Sequence, residues 1–258
     1  MNVALTIGAG VVGAAVGLGA GALSVALERV DRLREEEEEE RREYEAETAQ
    51  HAEEARSRGE QPEAAPAWEP ESYGWTWLEW GLAPVLAAFG FGVFAGNQGL
   101  TWVSAVDLLW VAVFVHIIVV DIKHRLILDK VTYPAIAVAL VLSAVVPGLS
   151  IVRALIGAGV LGGFFLLFHV VSRRGIGLGD AKLGALIGAI TGLGFDSVSH
   201  LQAIDAMIAG VLLGGATALV LLITRRRHLT DPIPYGPFLC AGAALVLFQG
   251  LTLTPPSS

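Results

Sequence analysis

Apolar and polar positions along this chain separate into long blocks rather than alternating. From Trp80 to Leu251 the apolar residues gather in runs of about 15–22 residues. That is the length needed to cross a hydrocarbon core of ~30 Å at ~1.5 Å per residue. Backbone groups in lipid have no water to bond, so such runs fold as helices or closed barrels, and the strict alternation of a barrel strand is absent. The runs predict spans near 81–97, 102–120, 133–148, 151–172, 181–195, 203–224 and 235–251. An earlier run, residues 3–27, adds a first span. It lacks a basic leading region and a small-residue cleavage site, so it reads as a retained helix rather than a signal peptide. Its Gly13, Gly17 and Gly21 form a stripe that lets another helix approach closely. Gly184, Gly188 and Gly192 repeat the device in the short span at 181–195, which favours a helix packed inside the bundle. The expected fold class is therefore all-α: a polytopic membrane helical bundle of about eight transmembrane helices.

Between the first two spans the pattern changes. Residues 28–58 are almost wholly polar, with Glu28/Arg32, Glu37/Arg41, Glu38/Arg42 and Glu54/Arg58 in favourable i,i+4 order. No apolar stripe accompanies them, so the segment is either a solvated helix or a disordered acidic arm. Residues 59–72 form a Pro-rich linker, after which Trp75, Trp77 and Trp80 mark re-entry at a membrane interface. Three regions follow: a first transmembrane helix (1–27), a cytoplasmic acidic helix and linker (28–79), and a membrane-embedded domain (80–258).

Composition adds little to the class but much to the orientation. The chain is 54% hydrophobic and carries a formal net charge of −8. Of its 25 acidic residues, 18 lie between Glu28 and Glu79, so the remainder is nearly neutral and offers no basic groove for nucleic acid. With the N-terminus outside, 16 of the 17 Lys and Arg fall in loops on the inner side and only Arg153 falls outside. This partition satisfies the positive-inside rule at every loop. It predicts a multi-pass protein of a bacterial inner membrane with both termini outside. The single cysteine, Cys240, excludes an internal disulfide and a Cys-rich zinc site, and its apolar surroundings suit a small buried side chain.

Ionisable residues at membrane depth are costly and need a reason. Asp121, in VVDIKHRLILDKVTYP, stands where the third span meets the inner side, and Asp180, in GIGLGDAKLGALIG, stands at the start of the sixth. The two carboxylates thus share one depth and one side, as an aspartyl peptidase requires. One acid must be ionised to take a proton from water, and the other protonated to polarise the scissile carbonyl. Two acids held close cannot both ionise cheaply, which divides the roles. Gly175, Gly177 and Gly179 leave the backbone before Asp180 free of Cβ atoms, which allows unusual dihedrals and the approach of a substrate strand. Lys182 balances local charge or meets lipid headgroups, and Asp129 is a candidate to cap or orient the first motif. Asp107 shares a helix face with Asp121 but lies 14 residues earlier, so structural hydrogen bonding suits it better than catalysis. His116 is expected to be packed or paired within the bundle. Pro234, Gly236 and Pro237 shape the entry to the last helix and line the cavity. Two other classes stay open: a small ion- or proton-coupled transporter, which would place its acids near the bilayer midplane, and a non-catalytic assembly factor of a pilus or secretion system.

Three of these segments together carry a family resemblance. GLGDAK (Gly177 to Lys182) resembles the GxGD motif of the type IV prepilin peptidases, relatives of the archaeal preflagellin peptidases. DIKHRLILDKVT (Asp121 to Thr132) resembles that family's first aspartate motif, with Leu128 in place of its Pro. IPYGPFLCAGA (Ile233 to Ala243) is similar to its last-helix segment. The resemblance implies Asp121 and Asp180 as catalytic residues, with Gly177, Gly179, Lys182 and Asp129 supporting the loop. It implies prepilin or pseudopilin leader peptides as substrates, lipid surroundings, and pilus or type II secretion assembly proteins as partners. No metal or cofactor is expected. Bifunctional members carry a cytoplasmic domain between the first two helices, often with paired Cys-x-x-Cys motifs, and methylate their product. Here the acidic arm occupies that place without a cysteine, so methyltransferase activity is not expected.

Overall fold

A computed structural model describes residues 3–30, 33–58, 61, 74–99, 101–146, 149–171, 177–192, 202–224 and 234–252. Every apolar run predicted above is a helix. In order these are α1 (Val3–Val30), α3 (Ala83–Gln98), α4 (Trp102–His124), α5 (Asp129–Val145), α6 (Ile151–Val171), α7 (Leu178–Thr191), α8 (Gln202–Ile223) and α9 (Gly236–Thr252), with the polar α2 (Leu33–Ser57) between the first two. Five of the segments, Val3–Glu28, Leu78–Asn97, Ser104–His124, Ile151–Val171 and Gln202–Val220, are long and apolar enough to cross a membrane. The protein is an all-α, multi-pass membrane bundle.

The polar segment is a helix rather than a disordered arm, with Arg41 pairing forward to Glu45 at 3.0 Å. Its predicted partners Glu37 and Glu38, and all of the Pro-rich linker except Gln61, lie outside the residues or side chains described. The chain re-enters through a single π-turn, Leu78–Leu82, which runs straight into α3. A capping box opens α4: Thr101 Oγ1 accepts from the Ser104 N–H (3.1 Å) and Ser104 Oγ from the Thr101 N–H (2.7 Å). Arg125, in the left-handed region at φ 54°, closes α4 by donating its N–H to the Asp121 carbonyl at 2.9 Å.

The span predicted over 181–195 is displaced. Its helix begins at Leu178 and stops at Thr191, because Gly192 takes φ 71°. Fourteen residues rise ~21 Å, less than a ~30 Å core. This helix is the buried centre of the bundle, packed chiefly on α6, with α5 and α9 beside it. The glycine stripes act as expected. A Cβ on Gly13 or Gly17 would strike the backbone of Ala87 or Ala83, so α1 lies directly against α3. Gly188 meets Gly157 backbone to backbone in the same way.

Two cores result, and α4 belongs to both. Val111, Val115 and Val119 face Ala83, Ala87 and Phe91 of α3. Trp110, Phe114 and Ile117 face the cluster built by α5 to α9, with Leu183, Leu186 and Leu239 at its centre.

Candidate active site

The end of α4, the start of α7 and the start of α9 converge. Asp121, three residues before the end of α4, is buried. Its Oδ2 accepts the backbone N–H of Gly236, the first residue of α9, at 3.0 Å. A Cβ at Gly236 would stand 2.5 Å from that oxygen and 3.0 Å from Cγ, so only glycine leaves room for the carboxylate. Asp180 is the third residue of α7 and half-buried. Its Oδ2 accepts the Gly177 N–H at 3.1 Å, which also satisfies a free donor at the helix start. Gly179, the residue before Asp180, packs on Ile127 of the α4–α5 turn, which brings Asp180 to the helix end that carries Asp121.

The supporting residues divide. Lys182 Nζ donates to Asp129 Oδ1 at 2.5 Å and lies 5.5 Å from the centre of the Tyr133 ring, which ties α7 to α5 beside the two acids. Gly179 allows close approach, though not to the backbone of a partner: its Cβ would meet Ile127 Cβ at 3.2 Å, so it seats the α4–α5 turn. The unusual dihedral expected of Gly177 is not found, since its φ of −73° and ψ of 154° suit any residue. Gly175 falls outside the described residues. Leu128, where the family pattern has Pro, sits at φ −69°, a value a Pro ring would also take. Of the three residues expected to shape the cavity, Gly236 touches Asp121. Pro237 occupies the first turn of α9, where a missing N–H costs nothing, and Pro234 precedes it.

Asp107 is buried ~21 Å along α4 from Asp121, away from the pair. His116 is buried with its Nδ1 donating to the Ala20 carbonyl at 3.2 Å, a packing role as expected. Cys240 is free and buried. Among the described residues no group of three or more His, Cys, Asp or Glu side chains is placed to hold a metal.

The sequence reading missed a second cluster on the far side of the same helix turn. Lys123 and His124 are buried against Glu28 and Glu79, two acids taken as the margins of the solvated arm. A signal was available: Glu79 stands between Leu78 and Trp80 at the start of one apolar run, and Lys123 at the end of another.

The Type IV leader peptidase family matches residues 108–224, which hold both acids and the glycines before Asp180. Over that stretch the chain is similar to the family. Curated relatives named prepilin leader peptidase/N-methyltransferase include that of Stutzerimonas stutzeri, 29% identical over 168 residues, covering 63% of this chain and 56% of the relative. That of Pseudomonas aeruginosa is 29% identical over 178 residues (67% and 59%), and that of Burkholderia pseudomallei 32% over 138 residues (51% and 42%). The chain spans about half the length of the curated relatives it matches. Their names join peptidase to methyltransferase and so give no support to the expectation that methylation is absent here. No solved structure matches.

Proposed function

We propose that this protein is an intramembrane aspartyl endopeptidase that removes the leader peptide of prepilin-like or pseudopilin substrates. The observation that supports the reading is the placement of Asp121 and Asp180 at neighbouring ends of α4 and α7, each with a carboxylate oxygen on a backbone N–H. In the reaction, the ionised acid of the pair takes a proton from water as the water oxygen bonds to the scissile carbonyl carbon. The protonated acid donates to the carbonyl oxygen. Collapse of the tetrahedral intermediate breaks the C–N bond, and the leaving amine takes its proton from the pair. The N–H groups of Gly236 and Gly177 hold the two carboxylates in place before substrate arrives, which is how positioned groups contribute to rate. Acids at helix ends favour this reading over an ion-coupled transporter, whose acids would sit near mid-span.

The site faces the cytoplasm of a bacterial inner membrane in this proposal, with both termini outside, the 28–79 region inside, and residues 80–258 forming the peptidase domain. The partition of 16 basic residues to one side supports it. So does the gathering of the ends of α1 and α4 with the starts of α3, α5, α7 and α9, all assigned to that side. With Cys240 replaced, single cysteines at Ser57 and Asn97 should label from opposite sides of the membrane, and labelling of both from one side would refute the orientation.

The purified protein, given a candidate prepilin from the same genome and a methyl donor, should release the leader and leave a product of the mature mass. An unshortened substrate across type IV pilin, tight-adherence pilin and type II pseudopilin candidates would sink the peptidase reading. The acidic arm, with too few apolar residues to build a ligand pocket alone, supports cleavage without methylation. A product one methyl group heavier would overturn that part only.

A further inference from the structure

The buried ion cluster behind the site has a geometry that bears on Asp121. On α4, Val111, Val115 and Val119 pack toward α1 and α3, and Lys123 is the next step of that four-residue ladder. Asp121 instead continues the face of Trp110, Phe114 and Ile117 toward α7 and α9. At about 100° per residue the two side chains leave the helix about 200° apart. Lys123 therefore acts on Asp121 only through the helix.

Lys123 is held from three directions. Its Nζ donates to Glu28 Oε1 at 2.6 Å, to Glu79 Oε1 at 2.8 Å and to the Gly74 carbonyl at 2.6 Å, which uses all three ammonium protons. Glu28 Oε1 also meets His124 Nε2 at 3.0 Å, and its Oε2 accepts the Gly74 N–H at 2.8 Å. Glu79 Oε2 accepts the Thr76 N–H at 2.7 Å and its hydroxyl at 2.5 Å. The four ionisable side chains are at most 3% exposed. Buried ions of this kind add little stability over apolar packing of the same volume, and their best-attested use is to specify one register.

We propose that the Lys123–Glu28–Glu79–His124 cluster is a rotational lock on the last turn of α4 that sets the direction of the Asp121 carboxylate. Three elements grip the turn: the end of α1, the Gly74–Thr76 segment and the π-turn that carries Glu79. A carboxylate ~6 Å from the helix axis moves ~1 Å for a rotation of ~10°, and a misplacement of that size can cost ~10²-fold in rate. Without the lock, α4 is held at this level by apolar contacts and the single bond from the Gly236 N–H to Asp121 itself, a weaker constraint on rotation than three directed bonds to one ammonium. The cluster closes the base of the region between residues 28 and 79, so it works without the arm itself. The inference rests on Asp121 being one of the two acids of the proposed peptidase.

The test is steady-state cleavage of a prepilin by the full chain carrying Glu28→Gln, Glu79→Gln and Lys123→Met together. These replacements remove the charges with little change in volume. The expected result is a kcat lower by about 10²-fold with KM within about twofold, in a protein whose thermal transition is retained. A kcat held within about twofold, or a loss confined to KM, would overturn the lock. Should the triple variant not fold, Glu79→Gln alone leaves one carboxylate against one ammonium. It should lose about threefold or more in kcat, because a bond to a neutral amide is weaker than one to a carboxylate, and an unchanged kcat overturns the proposal equally. Asp121→Asn separates the two failures. An inactive Asp121→Asn beside a fully active triple variant removes the lock alone, whereas a fully active Asp121→Asn removes the peptidase reading beneath it.

Discussion

The last turn of α4 has carboxylates on two of its faces, and they are treated in opposite ways. On the α1–α3 face, Glu28 and Glu79 meet an ammonium, an imidazole and backbone or hydroxyl donors at 2.5–3.0 Å. On the other face, Asp121 and Asp180 each have a backbone N–H, and among the described residues neither forms an ion pair. The nearby ammonium of Lys182 is taken by Asp129. A carboxylate tied to a cation keeps its charge and serves as a strut. One with a neutral donor and a like-charged neighbour can exchange a proton, which is what general acid–base work needs. The contrast separates structural acids from reactive ones more sharply than burial does, since Asp121 is as buried as Glu28 and Glu79.

The contrast can be broken most heavily from the structural side. Lys123→Met alone leaves two buried carboxylates facing each other, and losing one partner of such a group costs about 3–5 kcal/mol. Thermal or denaturant unfolding should show that loss, and most of it should return when Glu28→Gln and Glu79→Gln are added, a strongly non-additive result. On the reactive face the largest single effect comes from Gly236→Ala. Its methyl would stand 2.5 Å from Asp121 Oδ2 and turn the carboxylate aside, so cleavage should fall about 10²-fold while the protein stays folded. Asp129→Asn breaks a pair whose carboxylate is 53% exposed, worth at most about 1 kcal/mol, and most cleavage activity should remain. Replacing residues 36–66 by a short Gly/Ser linker spares every residue of both clusters and should leave cleavage rates unchanged in the same assay.

Much of this was legible because membrane proteins write their constraints locally. Each apolar run announced a helix, and the glycine stripe on α1 announced a close helix neighbour, which is α3. Asp121 and Asp180 stood out because an acid beside an apolar run is rare. Glu28 and Glu79 did not, because they border 16 other acids in the same region and their partner Lys123 is 95 and 44 residues away. The close fit of Gly236 against Asp121 was equally hidden, since a backbone contact across 115 residues leaves no periodic trace. Helix ends shifted for local reasons: α7 starts early because the Asp180 carboxylate takes the Gly177 N–H, and it stops early at the positive φ of Gly192.

The central claim is that Asp121 and Asp180 act as one unit, and single-turnover cleavage of a prepilin by three variants tests it most directly. Asp121→Asn and Asp180→Asn should each lower the rate by at least about 10²–10⁴-fold with membrane insertion intact. The double variant should be hardly slower than either single, because once one acid is lost the other has no partner to work with. Full-rate cleavage by either single variant, or losses that multiply in the double variant as for independent groups, would contradict the account.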